Sequence, residues 1–316
     1  MPQSPENPVT IEGADLGRHL FYDPILSKNY NMSCATCHKQ EKAFSDAPNA
    51  FTKGNNGVLT KRNTMPLFNL AWYPSFFWDG RAASIEEQVF HPVRDLNEMN
   101  LNWKDATNRI NRSKFYKQKF KLAFPNQEID SVLISRAIGQ FLRTLISNNS
   151  KFDRVLAGED YLDKDEFAGL ILMNDMTKGD CLHCHTSDAD ALGTTGLFSN
   201  NGLDNIKDPK MYKDKGLGGY TNNENDNGKF KIPSLRNVAV TAPYMHDGRF
   251  VTLEEVLDFY SEGVKTSVNI DSKMGLAHQG GVRLTKEEKK QIIAFLKTLT
   301  DSTFITNPNF GNPFKQ

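Results

Sequence analysis

The chain has 316 residues, and its 38 Lys and Arg are balanced by 38 Asp and Glu, so the formal net charge is zero. This balance argues against nucleic acid or another polyanion as a partner. The composition, 38% hydrophobic and 24% charged, is ordinary for a protein with a buried core, and no apolar run approaches the roughly 20 residues of a membrane span.

Helices dominate the predicted secondary structure of the N-terminal half. One helix is predicted to begin near Ser84, and a second covers residues 113–124. A third covers residues 129–145, where Ile134, Ile138, Phe141 and Leu145 recur at helical spacing. The N-terminal half is therefore predicted to be mainly α.

The C-terminal half is predicted to combine long loops with helices. Residues 188–228 are rich in Gly, Asn and Asp, which favours loops. A helix is predicted to begin near Thr252, and the capping box at residues 285–288 opens another that runs to Leu299. The whole chain is therefore predicted to be mainly α.

The four cysteines form two copies of one motif, Cys34-Ala35-Thr36-Cys37-His38 and Cys181-Leu182-His183-Cys184-His185. Cys-x-x-Cys-His is the attachment motif of c-type haem, in which both thiols bond to haem vinyl groups and the histidine is an axial iron ligand. Disulfides or a Cys₄ zinc site would leave both histidines unexplained. The motifs therefore predict two covalently bound haem c groups, ligated by His38 and His185.

Haem attachment also bears on location. Covalent haem attachment usually happens outside the cytoplasm, whereas the first residues lack the basic start and apolar stretch of a signal peptide. We therefore expect a periplasmic protein whose export signal is absent from this sequence.

A second internal repeat extends beyond the haem motifs. Residues 69–87 align without gaps to residues 237–255, at an offset of 168 residues, whereas the haem motifs are offset by 147. The difference indicates a loop insertion between the two motifs. Two cytochrome-c-like haem domains related by internal duplication are the natural interpretation, with an N-terminal domain at residues 1–155 and a C-terminal domain at residues 156–316.

The repeat distinguishes the two irons, because Tyr260 falls opposite Pro92 in the gapless alignment. A tyrosine oxygen can ligate iron, whereas proline has no side-chain donor. If this position faces the iron in both halves, the second haem is closed and the first, above Pro92, is open. His91 is an alternative sixth ligand of the first haem, and Met245 or Met274 of the second.

Polar residues flank Pro92. Gln88 precedes it and Glu98 follows it, and a carboxylate beside an open iron can move protons during cleavage of the O–O bond of hydrogen peroxide. Without further context, both are as easily read as solvated surface residues. Trp78 stands where His246 stands in the second half, and a buried tryptophan can relay electrons as well as pack a core.

Taken together, these residues resemble the bacterial di-haem cytochrome c peroxidase family, which includes the MauG-type enzymes of methylamine utilisation. The resemblance covers nearly the whole chain. It rests on the paired haem motifs, Arg62-Asn63-Thr64 with Pro66, residues 74–88, Asn97-Glu98-Met99, Leu235-Arg236-Asn237 and residues 241–249.

The resemblance implies roles for individual residues. The haem on His38 would be peroxidatic, with Gln88 and Glu98 as its distal residues, and the haem on His185 would transfer electrons. Trp78 matches the inter-haem tryptophan. The family usually binds a calcium ion between its domains, and its protein ligands match Asn63 and the backbone of Thr241 and Pro243, oxygen donors that suit Ca²⁺.

Two departures from the family pattern matter. Many of its peroxidases close the resting peroxidatic haem with a loop histidine, but no histidine occurs between His38 and His91, and Asn55 occupies about that place. We therefore expect a first haem that is open even when both irons are ferric. In addition, Tyr260 stands where the peroxidases carry methionine and MauG-type enzymes carry tyrosine.

Three functions compete. The first is reduction of hydrogen peroxide to water with electrons from a small c-type cytochrome or cupredoxin. The second is MauG-like oxidation of residues of a protein substrate through a high-valent haem pair. The third is a non-catalytic di-haem electron carrier, against which Pro92, Gln88 and Glu98 argue. The electron donor, the protein substrate and the oligomeric state, monomer or homodimer, are left open.

Overall fold

The computed structural model of the protein describes residue 2, residues 4–185 and residues 194–315. It is mainly helical, and none of its helices in these ranges is long and apolar enough to cross a membrane. The α-helices are α1 (Ile11–Tyr22), α2 (Cys34–Cys37), α3 (Ile85–Arg94), α4 (Trp103–Arg112), α5 (Lys114–Ala123), α6 (Ser131–Thr144), α7 (Lys151–Leu156), α8 (Lys164–Asn174), α9 (Gly218–Thr221), α10 (Leu253–Asp258), α11 (Lys286–Thr298) and α12 (Ser302–Thr306).

The strands are short. β1 (Phe198–Ser199) and β2 (Phe230–Lys231) pair antiparallel, with Phe198 opposite Lys231 and Ser199 opposite Phe230. β1 lies in the region predicted to be loops, residues 188–228, and β2 follows directly after that region; residues 188–193 of it fall outside the described residues. The other described residues between 194 and 228 are mostly turns and single helical turns.

Side-chain caps start the predicted helices where the sequence places them. The hydroxyls of Ser84 and Thr252 accept from the backbone N–H of Glu87 and Glu255 and so open α3 and α10. Both bonds of the capping box at Thr285 are formed, which opens α11. The helices predicted from spacing alone are confirmed as α5 and α6.

The chain forms two compact units. The N-terminal unit comprises Met1–Tyr73, Ala82–Ser147 and Thr303–Gln316, and the C-terminal unit comprises Pro74–Arg81 and Asn148–Ser302. This grouping differs from the predicted halves, 1–155 and 156–316, because three segments follow their packing rather than their position in the chain.

Specific contacts explain why each of these segments belongs to its unit. Helix α7 joins the C-terminal unit because Phe152 packs edge-on against Phe295, with ring centroids 5.0 Å apart. Residues 74–81 join it because the Lys231 N–H donates to the Trp78 carbonyl at 2.8 Å. The last residues return to the N-terminal unit, where the Arg18 guanidinium donates to the Gly311 carbonyl at 2.7 Å.

Each unit is built around one pair of crossing helices. In the N-terminal unit α1 packs on α6, and in the C-terminal unit α8 packs on α11. A glycine lies at each crossing: an added Cβ would be 1.9 Å from the Ala137 carbonyl oxygen at Gly17 and 2.0 Å from the Gln291 carbonyl oxygen at Gly169. Only glycine permits this approach of the two backbones.

The repeated segments share backbone features at the offset of 168 residues. Asn69 and Asn237 have φ of 55° and 56°, and Phe77 and Met245 have φ of 66° and 71°. The ion pair between Arg81 and Asp79 has its counterpart in Arg249 and Asp247. These matches support the proposed duplication.

Candidate haem sites

The first haem motif forms α2 and the residue after it. The Nδ1 of His38 lies 2.6 Å from the carbonyl oxygen of Phe44, and because a carbonyl can only accept, Nδ1 carries the hydrogen. This leaves Nε2 as the ring nitrogen that can ligate iron. Burial lowers the pKa of His38, which favours the neutral imidazole that ligation requires.

The cysteines of both motifs are available for haem attachment, since none of the four, Cys34, Cys37, Cys181 and Cys184, is in a disulfide. Burial raises the pKa of Cys34, Cys37 and Cys181 to about 12, and it also raises that of Cys184. Two thiols followed by a correctly oriented histidine fit a covalently bound haem in each unit.

Glu98 lies close to the first motif. Its carboxylate contributes to the raised pKa of both Cys34 and Cys37, a charge effect that requires proximity. The carbonyl of Glu98 accepts from the Asn55 N–H at 2.8 Å, and the amide of Asn55 bonds in turn to Asn29 and Asn31. Asn55 therefore anchors the backbone of the predicted distal carboxylate.

The predicted distal residues come from one helix and the turn after it. Gln88 and Pro92 are partly buried on α3, and the Pro92 carbonyl accepts from the Met99 N–H at 3.1 Å, which folds the turn bearing Glu98 back against the helix. His91 lies in the last turn of the same helix. Pro92 lies inside α3, where it has no N–H to donate to the Gln88 carbonyl one turn earlier.

In the C-terminal unit, one segment orients His185, the predicted ligand of the second haem. The Nδ1 of His185 lies 2.7 Å from the Pro233 carbonyl oxygen, and burial lowers the pKa of His185. The segment after Pro233 is anchored by Arg236, whose Nη1 lies 2.8 Å from an Asp153 carboxylate oxygen. Asn237 adds a second anchor, since its N–H donates to the Leu299 carbonyl at 3.0 Å.

This anchor predicts an acid-dependent loss of stability. Burial alone would raise the pKa of Asp153, but the Arg236 guanidinium and the Ser150 hydroxyl outweigh it and hold the pKa below its usual range. The stabilisation is therefore complete above the unfolded-state pKa, about 4, and is lost as the pH falls through the lower folded value. We expect Asp153→Asn to lower the free energy of unfolding by about 1–2 kcal/mol at pH 7.

Urea titrations from pH 7 to pH 2.5 measure this effect. The Asp153→Asn protein should lose less stability on acidification than the wild type. The matched control is Asp160→Asn, which removes a carboxylate paired with Arg154 at 3.0 Å near the surface and should change little. Identical pH dependence of wild type and Asp153→Asn would contradict this account.

Tyr260 lies in an unusual turn of helix. Helix α10 continues as a π-helix over Phe259–Gly263, and the widened turn contains Tyr260. Burial raises the pKa of Tyr260 to about 12, with further contributions from the nearby Cys181 and Cys184 and an opposing hydrogen bond from Asn201. The phenol therefore lies near Cys181 and Cys184 of the second haem motif, and its ligation of iron stays a prediction.

The alternative ligands Met245 and Met274 lie in the same side-chain cluster as Tyr260. Both pack with Tyr260 against a small cluster around the buried side chains of Phe259 and Val264. The sequence did not single out Asn201, although its side-chain Nδ2 lies 3.0 Å from the Tyr260 oxygen and 3.6 Å from the Met245 sulfur. Its position in a loop rich in Asn and Gly hid this role.

The structure gives the burial of Trp78 and the local hydrogen bonds of the predicted calcium ligands. Trp78 is partly buried. The Asn63 amide donates to the Ala50 carbonyl at 3.1 Å, the Thr241 hydroxyl donates to the Val238 carbonyl at 3.3 Å, and Pro243 follows a cis peptide bond. No group of three or more His, Cys, Asp or Glu side chains in the described residues could hold a metal ion. Calcium remains a prediction.

Comparisons with known proteins agree with this chemistry. Residues 11–161 match the family described as di-haem cytochrome c peroxidase. The chain is 33% identical to the methylamine utilization protein MauG of Methylophilus methylotrophus, over 95% of this chain and 85% of that protein. It is also 33% identical to the cytochrome c551 peroxidase of Nitrosomonas europaea, over 99% of this chain and 86% of that protein.

A solved structure is similar over almost its whole length. The crystal structure of a MauG-like protein associated with microbial copper homeostasis matches with a TM-score of 0.89 and 33% identity, covering 99% of this chain and 97% of that one.

Proposed function

The chain belongs to the di-haem cytochrome c peroxidase family, and we propose that it reduces hydrogen peroxide to water with two electrons from a small redox protein. The family establishes a di-haem oxidoreductase with two c-type haems. The observation that supports the finer proposal is that the Glu98 carboxylate is near enough to raise the pKa of Cys34 and Cys37, on the turn that follows Gln88 and Pro92.

In the proposed reaction, one peroxide, two electrons and two protons give two water molecules. The first haem, when bound on Cys34, Cys37 and His38, supplies the iron at which the O–O bond breaks. Glu98 takes a proton from the near oxygen of the peroxide and returns it to the leaving oxygen. Gln88 cannot exchange protons, and its amide orients the peroxide by hydrogen bonding. Pro92 has no side-chain donor that could compete with the peroxide for the iron.

The second haem, which Cys181, Cys184 and His185 would hold, would supply electron transfer in this proposal. Trp78 would relay the electrons toward the first haem, as the family resemblance implies. Tyr260 would be a further protein ligand of the second haem, and its anionic oxygen would lower the reduction potential relative to methionine.

A second function is favoured by Tyr260 and by Asn55. A tyrosine ligand and the absence of a closing loop histidine are the MauG-like pattern, which corresponds to oxidation of residues on a protein substrate. In that case Trp78 and other aromatic side chains carry oxidising equivalents outward. Glu98 handles protons in both cases.

Further proposals follow from the family. We propose a periplasmic protein, since haem attachment takes place outside the cytoplasm. The proposed electron donor is a small c-type cytochrome or cupredoxin. On the same resemblance we propose a calcium ion held by Asn63 and the backbone of Thr241 and Pro243. The protein is proposed to be a monomer or a homodimer, which a measurement of its molar mass in solution distinguishes.

Steady-state turnover and low-temperature EPR of the ferric holoprotein test the proposal together. We expect rapid consumption of peroxide with reduced cytochrome c, a high-spin signal from the open first haem and a low-spin signal from the second. Slow turnover with a long-lived oxidised state would favour the MauG-like function. A ferric spectrum without any high-spin component would contradict the open first haem and favour an electron carrier.

A further inference from the structure

The side-chain amide of Asn201 lies between the two side chains that compete to ligate the second haem. Its Nδ2 is 3.0 Å from the Tyr260 hydroxyl oxygen and 3.6 Å from the Met245 sulfur. An amide NH₂ has two hydrogens and no acceptor capacity, so it donates to both. The oxygen and the sulfur each receive one hydrogen bond from the same group.

Asn201 is held rigidly by its neighbours in the chain. On one side, the Asn200 amide donates to the Tyr212 hydroxyl at 2.7 Å. On the other, the Gly202 carbonyl accepts from the Lys265 N–H at 2.8 Å, and Gly202 has a φ of +75° that a residue with a side chain rarely adopts. The amide therefore points at Tyr260 from a fixed backbone.

Tyr260 is equally constrained. Its carbonyl, freed by the π-helical turn, accepts from the Val282 N–H at 3.0 Å, and the carbonyl of Ser261 accepts from the Arg283 N–H at 3.0 Å. Gly281 lies so close that an added Cβ would be 2.2 Å from the Tyr260 carbonyl oxygen. The hydroxyl and the amide thus meet between two parts of the backbone that cannot move apart easily.

From this geometry we infer that Asn201 is a positioning residue that sets the electron donation of Tyr260 to the second haem through a hydrogen bond to the phenolic oxygen. The inference rests on the proposed ligation by Tyr260. A donor on a ligating oxygen withdraws electron density from it, which weakens its preference for ferric iron and raises the reduction potential. The bond to sulfur keeps a lone pair of Met245 occupied.

The test replaces Asn201 in the holoprotein and measures the potential of the second haem by spectroelectrochemical titration, with EPR of the ferric state. We expect Asn201→Leu to shift the equilibrium toward ferric iron about tenfold, which is about 59 mV for one electron. Asn201→Ala also removes the donor and adds no charge, so it should shift the potential in the same direction. If Asn201→Leu does not fold, Asn201→Ala decides.

A double-mutant cycle shows whether the effect passes through the tyrosine oxygen. In a Tyr260→Phe background, Asn201→Leu should leave the potential unchanged, because the bond it removes no longer exists. The matched control is Asn205→Leu, the same substitution at an exposed asparagine four residues further along the chain, which should leave the potential at the wild-type value. An unchanged or raised potential in both Asn201 variants overturns the inference.

Different results would contradict the role of Asn201 and the proposed peroxidase function. Peroxide turnover without any shift in the Asn201 variants would remove only the role of Asn201. A low-spin signal that survives unchanged in Tyr260→Phe would remove the tyrosine ligand and this inference with it. Absence of peroxide turnover in the wild type would remove the peroxidase proposal, whatever the potentials.

Discussion

Glu98→Gln is expected to lower kcat/KM for hydrogen peroxide by about 10² to 10⁴, the usual contribution of a positioned general acid–base group. Glutamine keeps the size of the side chain and can still form hydrogen bonds, but it cannot take up and release a proton. The backbone of Glu98 stays anchored by the Asn55 N–H, so the substitution should not move the turn. Steady-state kinetics with reduced cytochrome c measure the effect.

The control is a carboxylate of the same turn. Asp95 is exposed, and its side chain accepts from the Asn97 N–H at 2.8 Å, a bond that asparagine can keep. We expect Asp95→Asn to retain wild-type turnover. Ferric EPR spectra of both variants should match the wild type, which shows that the haems are in place. Equal rates for Glu98→Gln and the wild type would remove Glu98 from the proton transfer, and the peroxidase proposal would lose its main support.

Gly169→Ala is expected to destabilise the C-terminal unit by about 3 kcal/mol, the upper part of the usual range for overpacking. In an ordinary helix the same change would stabilise by up to about 1 kcal/mol, since alanine is the better helix former. Here the new Cβ would lie 2.0 Å from the Gln291 carbonyl oxygen and 2.9 Å from the Phe295 Cβ. Helices α8 and α11 would have to move apart.

Chemical denaturation monitored by far-UV circular dichroism measures this loss. Gly275→Ala is the control, because an added Cβ there meets nothing within 4 Å. Gly17→Ala makes the same test in the N-terminal unit, where the Cβ would lie 1.9 Å from the Ala137 carbonyl oxygen. Similar losses at Gly17 and Gly169 would support the proposed duplication. A neutral or stabilising Gly169→Ala would show that the crossing of the two helices is looser than described.

Much of the local structure could be predicted from the sequence because it depends on neighbours in the chain. The hydroxyls of Ser84, Thr252 and Thr285 each accept a hydrogen bond from the backbone N–H three residues later and so start a helix. Such a bond needs only a few consecutive residues and no contact with distant parts of the chain. The π-helical turn around Tyr260 was not predicted. It needs partners for its freed carbonyls, and these are the N–H groups of Val282 and Arg283, about 20 positions further along.

The sequence also did not predict which segments of the chain belong to which of the two units. Trp78 stands in the first half of the sequence but in the C-terminal unit of the fold, because its backbone pairs with Lys231. Phe304 stands near the C-terminus but packs against Phe44 in the N-terminal unit, with ring centroids 5.7 Å apart. A duplicated sequence indicates two similar units, but it does not tell where a strand or tail crosses from one to the other.

The sequence by itself determined the haem chemistry of this protein, since Cys-x-x-Cys-His holds all its reacting atoms within five consecutive residues. The tertiary structure alone decided which carbonyls, those of Phe44 and Pro233, orient the two predicted haem ligands, His38 and His185, and which amide reaches Tyr260. The reason is physical: covalent attachment needs only local spacing, whereas a hydrogen bond between distant residues exists only after the backbone has closed around it.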